Sequence, residues 1–191
     1  MSEWRDKTSG FADAPYNYEY ATLFDLISLA RGKENALIVA LDHITDAGNM
    51  GAVIRSAEVV GATGILIPNK RAAPVNEAVY RTSAGAVEYL KIAREANLVS
   101  SLKRLRDEGF WIAGATEYAR QDIWHAPLEG RLVLVMGAED TGLSRLVRET
   151  CDFEVKLPQR GFTQSLNVAQ ACTAIAYEWL RRTTSMSVVV K

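Results

Sequence analysis

Three short stretches hold the residues whose types and spacing suggest chemistry. The first is "ITDAGNMGAVIRSAEVVGA", residues 44–62, which follows the apolar run "ALIVALD". It opens as a turn into an amphipathic helix. Val53, Ala57 and Val60 share one stripe, and Arg55 projects roughly 200° away from it. Arg55 shares its side with Gly51 and Glu58. It is either a solvated arginine paired with Glu58, a pair worth little, or a cation aimed at a partner. Gly51 is a poor helix former in a first turn, so its use implies close approach by another group. Asn49 stands at the helix mouth and suits a cap.

The second stretch is "VMGAEDTGLS", residues 135–144. An apolar strand ends in Gly137, which would let a ligand approach the backbone. Glu139, Asp140 and Thr141 follow, and capping of the next helix accounts for all three. The third is "KLPQRGFTQSLNVAQA", residues 156–171. A polar loop with Arg160 and Gly161 leads to Ser165, Leu166 and Asn167 at the start of a long helix. Ser165 by itself is an N-cap. A hydrolase nucleophile needs a GxSxG elbow and a histidine partner. The serine stands instead in "TQSLN", and the histidines are His43 and His125, neither of which carries an assignment. No GxxxxGK[ST] phosphate loop and no GxGxxG fingerprint occurs.

These stretches must be positioned by a scaffold, and the rest of the chain describes one. Its 191 residues suit one compact domain with a short extra arm. Aliphatic runs at 36–41, 64–68, 110–115, 131–137 and 153–158 predict strands. Helix-like segments near 50–61, 75–83, 97–108, 142–149 and 165–182 alternate with them. The strands are continuously apolar, as in a sheet buried on both faces. This alternation predicts an α/β fold with a mostly parallel sheet flanked by helices. Ligands of such sheets sit beyond the carboxyl ends of the strands, which is where the three stretches fall. Residues 1–35 are expected to be an N-terminal extension or linker with a short helix carrying Leu23, Leu26, Ile27 and Ala30. Residues 36–182 would be the main α/β domain, which the family resemblance given below makes the catalytic domain, and 183–191 a tail.

The formal net charge of -1 excludes a globally basic nucleic-acid binder, although a local basic patch is compatible with it. Cys151 and Cys172 form no CxxC pair and lack histidines at metal-ligand spacing, so no metal is expected. They are expected as buried thiols in a reducing cytoplasm. No apolar run reaches the ~20 residues of a membrane helix, and the N-terminus has no signal-peptide pattern.

Taken in order, the three stretches resemble the motifs of the TrmH/SpoU family, RNA ribose 2'-O-methyltransferases of the SPOUT superfamily. The Asn49-x-Gly51-x-x-x-Arg55 core, "LVMGAEDTGL" and "LPQRGFTQSLNVAQA" carry the resemblance, and "RTSAGAVEYLKI" at 81–92 adds to it. It covers about residues 36–182. It is closest to the branch that methylates a guanosine ribose in large-subunit (23S) ribosomal RNA, with a tRNA ribose as the alternative substrate. The resemblance implies a sheet whose C-terminal part forms a deep trefoil knot, a fold that generic topology rules would not propose. It also implies S-adenosylmethionine as cofactor, RNA as substrate and a homodimer with the site near the subunit interface. Cofactor contacts carry over to Gly137, Leu157 and Leu166, largely through backbone, with Ala115 and Thr116 added from the loop after the 110–115 strand. The catalytic set is Asn49, Arg55, Glu139, Ser165 and Asn167. Asn49 and Glu139 would orient Arg55, and Ser165 and Asn167 would hold the ribose.

The family proposal makes the arginine a base, which conflicts with the persistence of a guanidinium's charge. Two versions therefore stand. Either Arg55 is perturbed enough to accept a proton, or it grips phosphate and stabilises developing alkoxide charge. RNA contacts are expected from Arg55, Arg81 and Arg160, with Lys70 and Arg71 as further candidates. Two features depart from the family. Many relatives carry an N-terminal RNA-binding domain, whereas only about 35 residues precede "ALIVALD" here. The last helix also reads "VAQA" where relatives commonly have "VSVA". The competing readings are a non-catalytic RNA-binding module on this fold and an unrelated nucleotide-binding α/β enzyme.

Overall fold

The computed structural model describes residues 17–163 and 165–184. The five apolar runs all form strands, and two further strands join them. In chain order they are β1 Ala36–Asp42, β2 Gly64–Pro68, β3 Ile92–Glu95, β4 Trp111–Ala115, β5 Gln121–Asp122, β6 Arg131–Gly137 and β7 Phe153–Lys156. They make one seven-stranded sheet in the order β3-β2-β1-β6-β4-β7-β5. Every pairing is parallel. β3 and β5 left no clear apolar signal because both are short strands at the sheet's edges, where one side needs no covering partner.

The helices are α1 Leu23–Ala30, α2 Ala47–Val59, α3 Glu77–Thr82, α4 Leu98–Asp107, α5 Arg145–Thr150 and α6 Val168–Thr183. They cover both faces of the sheet. Leu37, Val39 and Leu41 of β1 pack in the core beneath α2, α3 and α6. Ala36, Ile38 and Ala40 pack in the core of α1, α4 and α5. All seven residues of β1 are buried, which explains its unbroken apolar run. Each large aliphatic side chain buried there contributes about 2 kcal/mol.

The described part of the first 35 residues packs onto this sheet. α1 buries Leu23, Leu26, Ile27 and Ala30, the expected stripe. The Ala21 amide donates to the Ile92 carbonyl at 2.9 Å, which ties this segment to β3. Residues 1–16 and 185–191, with most of the expected tail, lie outside the described residues.

The helix starts differ from the sequence expectation. α2 is capped by Asp46, whose carboxylate accepts from the Asn49 amide at 2.7 Å. Asn49 is therefore inside the first turn, and its side chain is free for other work. α6 is capped by Asn167, not Ser165, and starts at Val168. α5 starts at Arg145 after Ser144, so Glu139, Asp140 and Thr141 do not cap it.

Gly51 provides close approach, but to the protein itself. A Cβ there would stand 1.9 Å from Thr82 Oγ1 and 2.9 Å from the Ser83 amide nitrogen. Thr82 sits over α2 and donates to the Ala47 carbonyl at 3.0 Å. The glycine thus lets α3 brace the first turn of α2, the turn that carries Asn49.

Candidate active site

In a parallel sheet all the carboxyl ends lie on one side. Beyond the ends of β4, β6 and β7 opens a cavity of about 240 Å³. Its floor is apolar and includes Met136, Val155, Ala171 and Ile175. Its walls come from three loops. Ala115 and Thr116 follow β4, Gly137 and Glu139 follow β6, and Leu157 and Gln159 follow β7. Ser165 and Leu166 complete the wall before α6. All five residues expected at the cofactor, Ala115, Thr116, Gly137, Leu157 and Leu166, line this cavity.

The loops are held by backbone bonds. The Thr116 amide donates to the Val155 carbonyl at 3.0 Å, and the Gly142 amide to the Ala138 carbonyl at 2.8 Å. Gly137 faces its own returning loop: a Cβ there would be 2.3 Å from the Gly142 carbonyl carbon. The glycine is needed for this fold-back, and the fold-back raises Glu139 towards α6.

A polar network borders the cavity. Asn167 Nδ2 donates to Asn49 Oδ1 at 2.8 Å and also to Glu139 Oε1. Glu139 Oε1 further accepts from the Val168 amide at 3.3 Å. Asn167 Oδ1 accepts from the Ala169 amide at 2.9 Å. One side chain therefore caps α6 and joins the first and second stretches. Asn49 and Glu139 were expected to orient Arg55; within this chain they bind Asn167 instead. Arg55 is exposed and makes no hydrogen bond or ion pair among the described residues, so the Glu58 pair is absent as well. Ser165 is exposed on the cavity wall.

Charge at the cavity is mixed. Glu117, Glu139 and Asp140 are beside it, as are Lys156 and Arg148. Arg148 is already engaged by Glu154, with Nη2 to Oε2 at 2.9 Å. That hydrogen bond holds the Glu154 carboxyl below the usual carboxylate range. Burial pushes the Cys151 thiol up to about 12, and burial does the same for Cys172. Cys172 is fully buried as expected, whereas Cys151 is half-buried.

The SpoU rRNA Methylase family profile matches residues 36–177. The chain belongs to this family. It is 40% identical over 158 residues to the 23S rRNA (guanosine-2'-O-)-methyltransferase RlmB of Photobacterium profundum. That match covers 83% of this chain and 64% of the relative, so the chain spans somewhat less than two-thirds of that protein's length. Among solved structures it resembles the AdoMet-bound rRNA methyltransferase from Sinorhizobium meliloti, with a TM-score of 0.79 and 28% identity over 88% of this chain and 63% of that one. It also resembles the SpoU methyltransferase AviRb from Streptomyces viridochromogenes in complex with AdoMet. There the TM-score is 0.73 and the identity 30%, over 83% of this chain and 64% of that one.

Within this SpoU family scaffold the remaining expected residues separate from the cavity. Arg160 is exposed on the third loop and makes no ion pair among the described residues. Arg81, on α3, lies 4.0 Å from Glu77 in an exposed pair. Lys70 and Arg71 are exposed on the loop after β2. Among the described residues no helix is long and apolar enough to cross a membrane, and no group of three or more acidic, histidine or cysteine side chains is arranged for a metal ion. Sequence reading missed Asp42, Asp46 and Tyr118. Tyr118 lines the cavity with 76% of its surface exposed. Asp42 carried a signal, since an acid closes an otherwise apolar buried strand.

Proposed function

We propose that this chain is an S-adenosylmethionine-dependent RNA ribose 2'-O-methyltransferase acting on a guanosine of 23S ribosomal RNA. The observation that carries the reading is the convergence of Ala115, Thr116, Gly137, Leu157 and Leu166 on one cavity bordered by the Asn49–Asn167–Glu139 network. The cavity suits the cofactor. Its apolar floor fits a purine face, its loop backbones offer donors and acceptors, and the carboxylates of Glu117 and Glu139 complement a cationic sulfonium ligand. When bound, the cofactor supplies an electrophilic methyl group to the ribose 2'-oxygen.

The protein's task is positioning and charge. The network fixes the start of α6, and with it Ser165 and Leu166 on the cavity wall. Ser165 offers a hydroxyl to the ribose. Arg55 remains a cation, grips the RNA phosphate and stabilises charge developing on the 2'-oxygen, whose proton leaves to solvent. Its lack of any partner among the described residues supports the grip on phosphate, because the guanidinium is left available to an incoming anion.

Arg81, Arg160, Lys70 and Arg71 extend the RNA contact. Arg55's exposure supports a site completed by RNA and by a second copy of the chain, in a homodimer. We also read the C-terminal part as threaded in the family's trefoil knot, supported by the family match, and the protein as cytoplasmic.

The test is direct. The purified chain is incubated with labelled S-adenosylmethionine and either ribosomal RNA or tRNA, and the labelled ribose is mapped. Transfer to a 23S guanosine is expected. Transfer only to tRNA would move the substrate assignment. RNA binding without cofactor binding or transfer would favour a non-catalytic module.

A further inference from the structure

Asp42 is 1% exposed, yet it carries a carboxylate at the end of an apolar strand. A buried carboxylate is costly unless its oxygens find donors. Oδ2 does: it accepts from the Ser144 amide at 2.7 Å. Oδ1 stands 2.6 Å from His43 Nδ1. His43 reaches it with a backbone φ of 66°, in the left-handed region that residues with a Cβ rarely adopt.

The Ser144 amide belongs to the donors that a helix start leaves unpaired. Ser144 caps α5 without a side-chain bond, so a carboxylate from β1 satisfies that end from across the sheet. Asp42 is also in register with Gly137, where the loop begins. One residue therefore stands at both ends of the segment 138–144. Between those ends lies Glu139, which meets Asn167.

We propose that Asp42 is a positioning residue for the cofactor cavity: by holding Ser144 it fixes the loop 138–144 and sets where Glu139 meets Asn167. It rests on reading the cavity as the S-adenosylmethionine site. Asp46, four residues on, caps α2 through the Asn49 amide. Segment 42–46 thus anchors both the loop that carries Glu139 and the helix that carries Asn49.

The test compares Asp42→Ala, Asp42→Asn and Asp42→Glu with the parent chain. Hydrogen exchange of segment 138–144 is read without cofactor, and S-adenosylmethionine affinity by calorimetry. Asp42→Ala should speed exchange in 138–144 while β2 and β3 keep their protection, and should weaken cofactor binding by about tenfold to a hundredfold. Asp42→Asn keeps an oxygen for Ser144 and should restore most of both. Asp42→Glu sets Ser144 back by a methylene and should lower affinity in a folded chain, which carries the test if the alanine variant does not fold. Unchanged exchange and affinity in Asp42→Ala would overturn the proposal. So would exchange rising equally across the sheet, or an asparagine variant as impaired as the alanine one. Failure of the parent chain to bind S-adenosylmethionine would instead overturn the cavity reading, while exchange would still report on the tether.

Discussion

The cavity beyond β4, β6 and β7 and the outer face of α2 present opposite kinds of site. The cavity is closed by the protein's own bonds. Asn167 joins Glu139 and Asn49, Asp42 holds Ser144, and the loops bind one another through backbone. On α2, Arg55 stands exposed with no partner among the described residues. The contrast divides the work. The pocket is organised by the chain itself, and the cation is left for a partner, which the proposed function takes to be RNA. A preorganised pocket avoids ordering costs at the moment of reaction, whereas a free guanidinium keeps its full attraction for phosphate.

Tests at four positions would break or sharpen this contrast. The largest effect is expected at Arg55. Arg55→Ala should lower methyl transfer by about a hundredfold or more and leave calorimetric cofactor affinity unchanged. Loss of cofactor binding would erase the distinction between the two regions. Arg55→Lys keeps the charge without the planar fork, and its pH–rate profile should match the parent's. A shifted profile would restore the base role.

Next is Asn167→Ala, on the closed side. It should weaken cofactor affinity about tenfold or more. Loss of the α6 cap should cost ~1 kcal/mol in chemical denaturation. Equal losses in RNA and cofactor affinity would mean that the two regions are not separable.

Gly137→Ala should follow in stability. Its methyl would meet backbone at Gly142 and not a flexible side chain, so the cost should be ~1–3 kcal/mol or more by urea unfolding. A stable variant with normal cofactor affinity would show that the 138–144 loop has slack.

The smallest effect concerns the far end of α6. Glu178 is buried and bound by Arg181 and Arg182, and the hydrogen bond from Arg181 is the first cause of a pKa lowered to about 2. Its folded value lies below the ordinary value of 4.5, so its contribution is present in full above that value and fades as pH falls towards 2. Denaturation between pH 5 and 3 should therefore show the parent chain losing more stability than Glu178→Gln. Parallel curves would discount this bond. Cofactor affinity at neutral pH should stay unchanged, because the pair lies away from the cavity.

Much of the site was legible because motif and strand end coincide. Apolar runs marked the strands, and polar residues just after them marked the loops. Local grammar misled where two elements compete for one role. Asn49 suits a cap, but Asp46 stands three residues earlier and takes the Asn49 amide. Ser165 suits a cap too, but Asn167 reaches the amides of Ala169 and Gln170. Gly51 announced a close approach, which Thr82 makes, whereas Gly137 was read as clearance for a ligand and instead admits the chain's own returning loop. Thr82 comes from a part of the chain that no local pattern connects to Gly51, while Gly142 lies in Gly137's own stretch.

The sequence by itself determined the parallel α/β class, through runs buried on both faces, and the residue types available at each strand end. Tertiary structure alone decided which of those residues meet. Asn49 and Asn167 are separated by 118 positions, and Asp42 and Ser144 by 102. Helical and strand periods report which way a side chain points within one element. They carry no record of what the sheet order brings opposite it. That order places β6 between β1 and β4, and so sets the Glu139 loop beside Asp42 on one side and the cavity on the other.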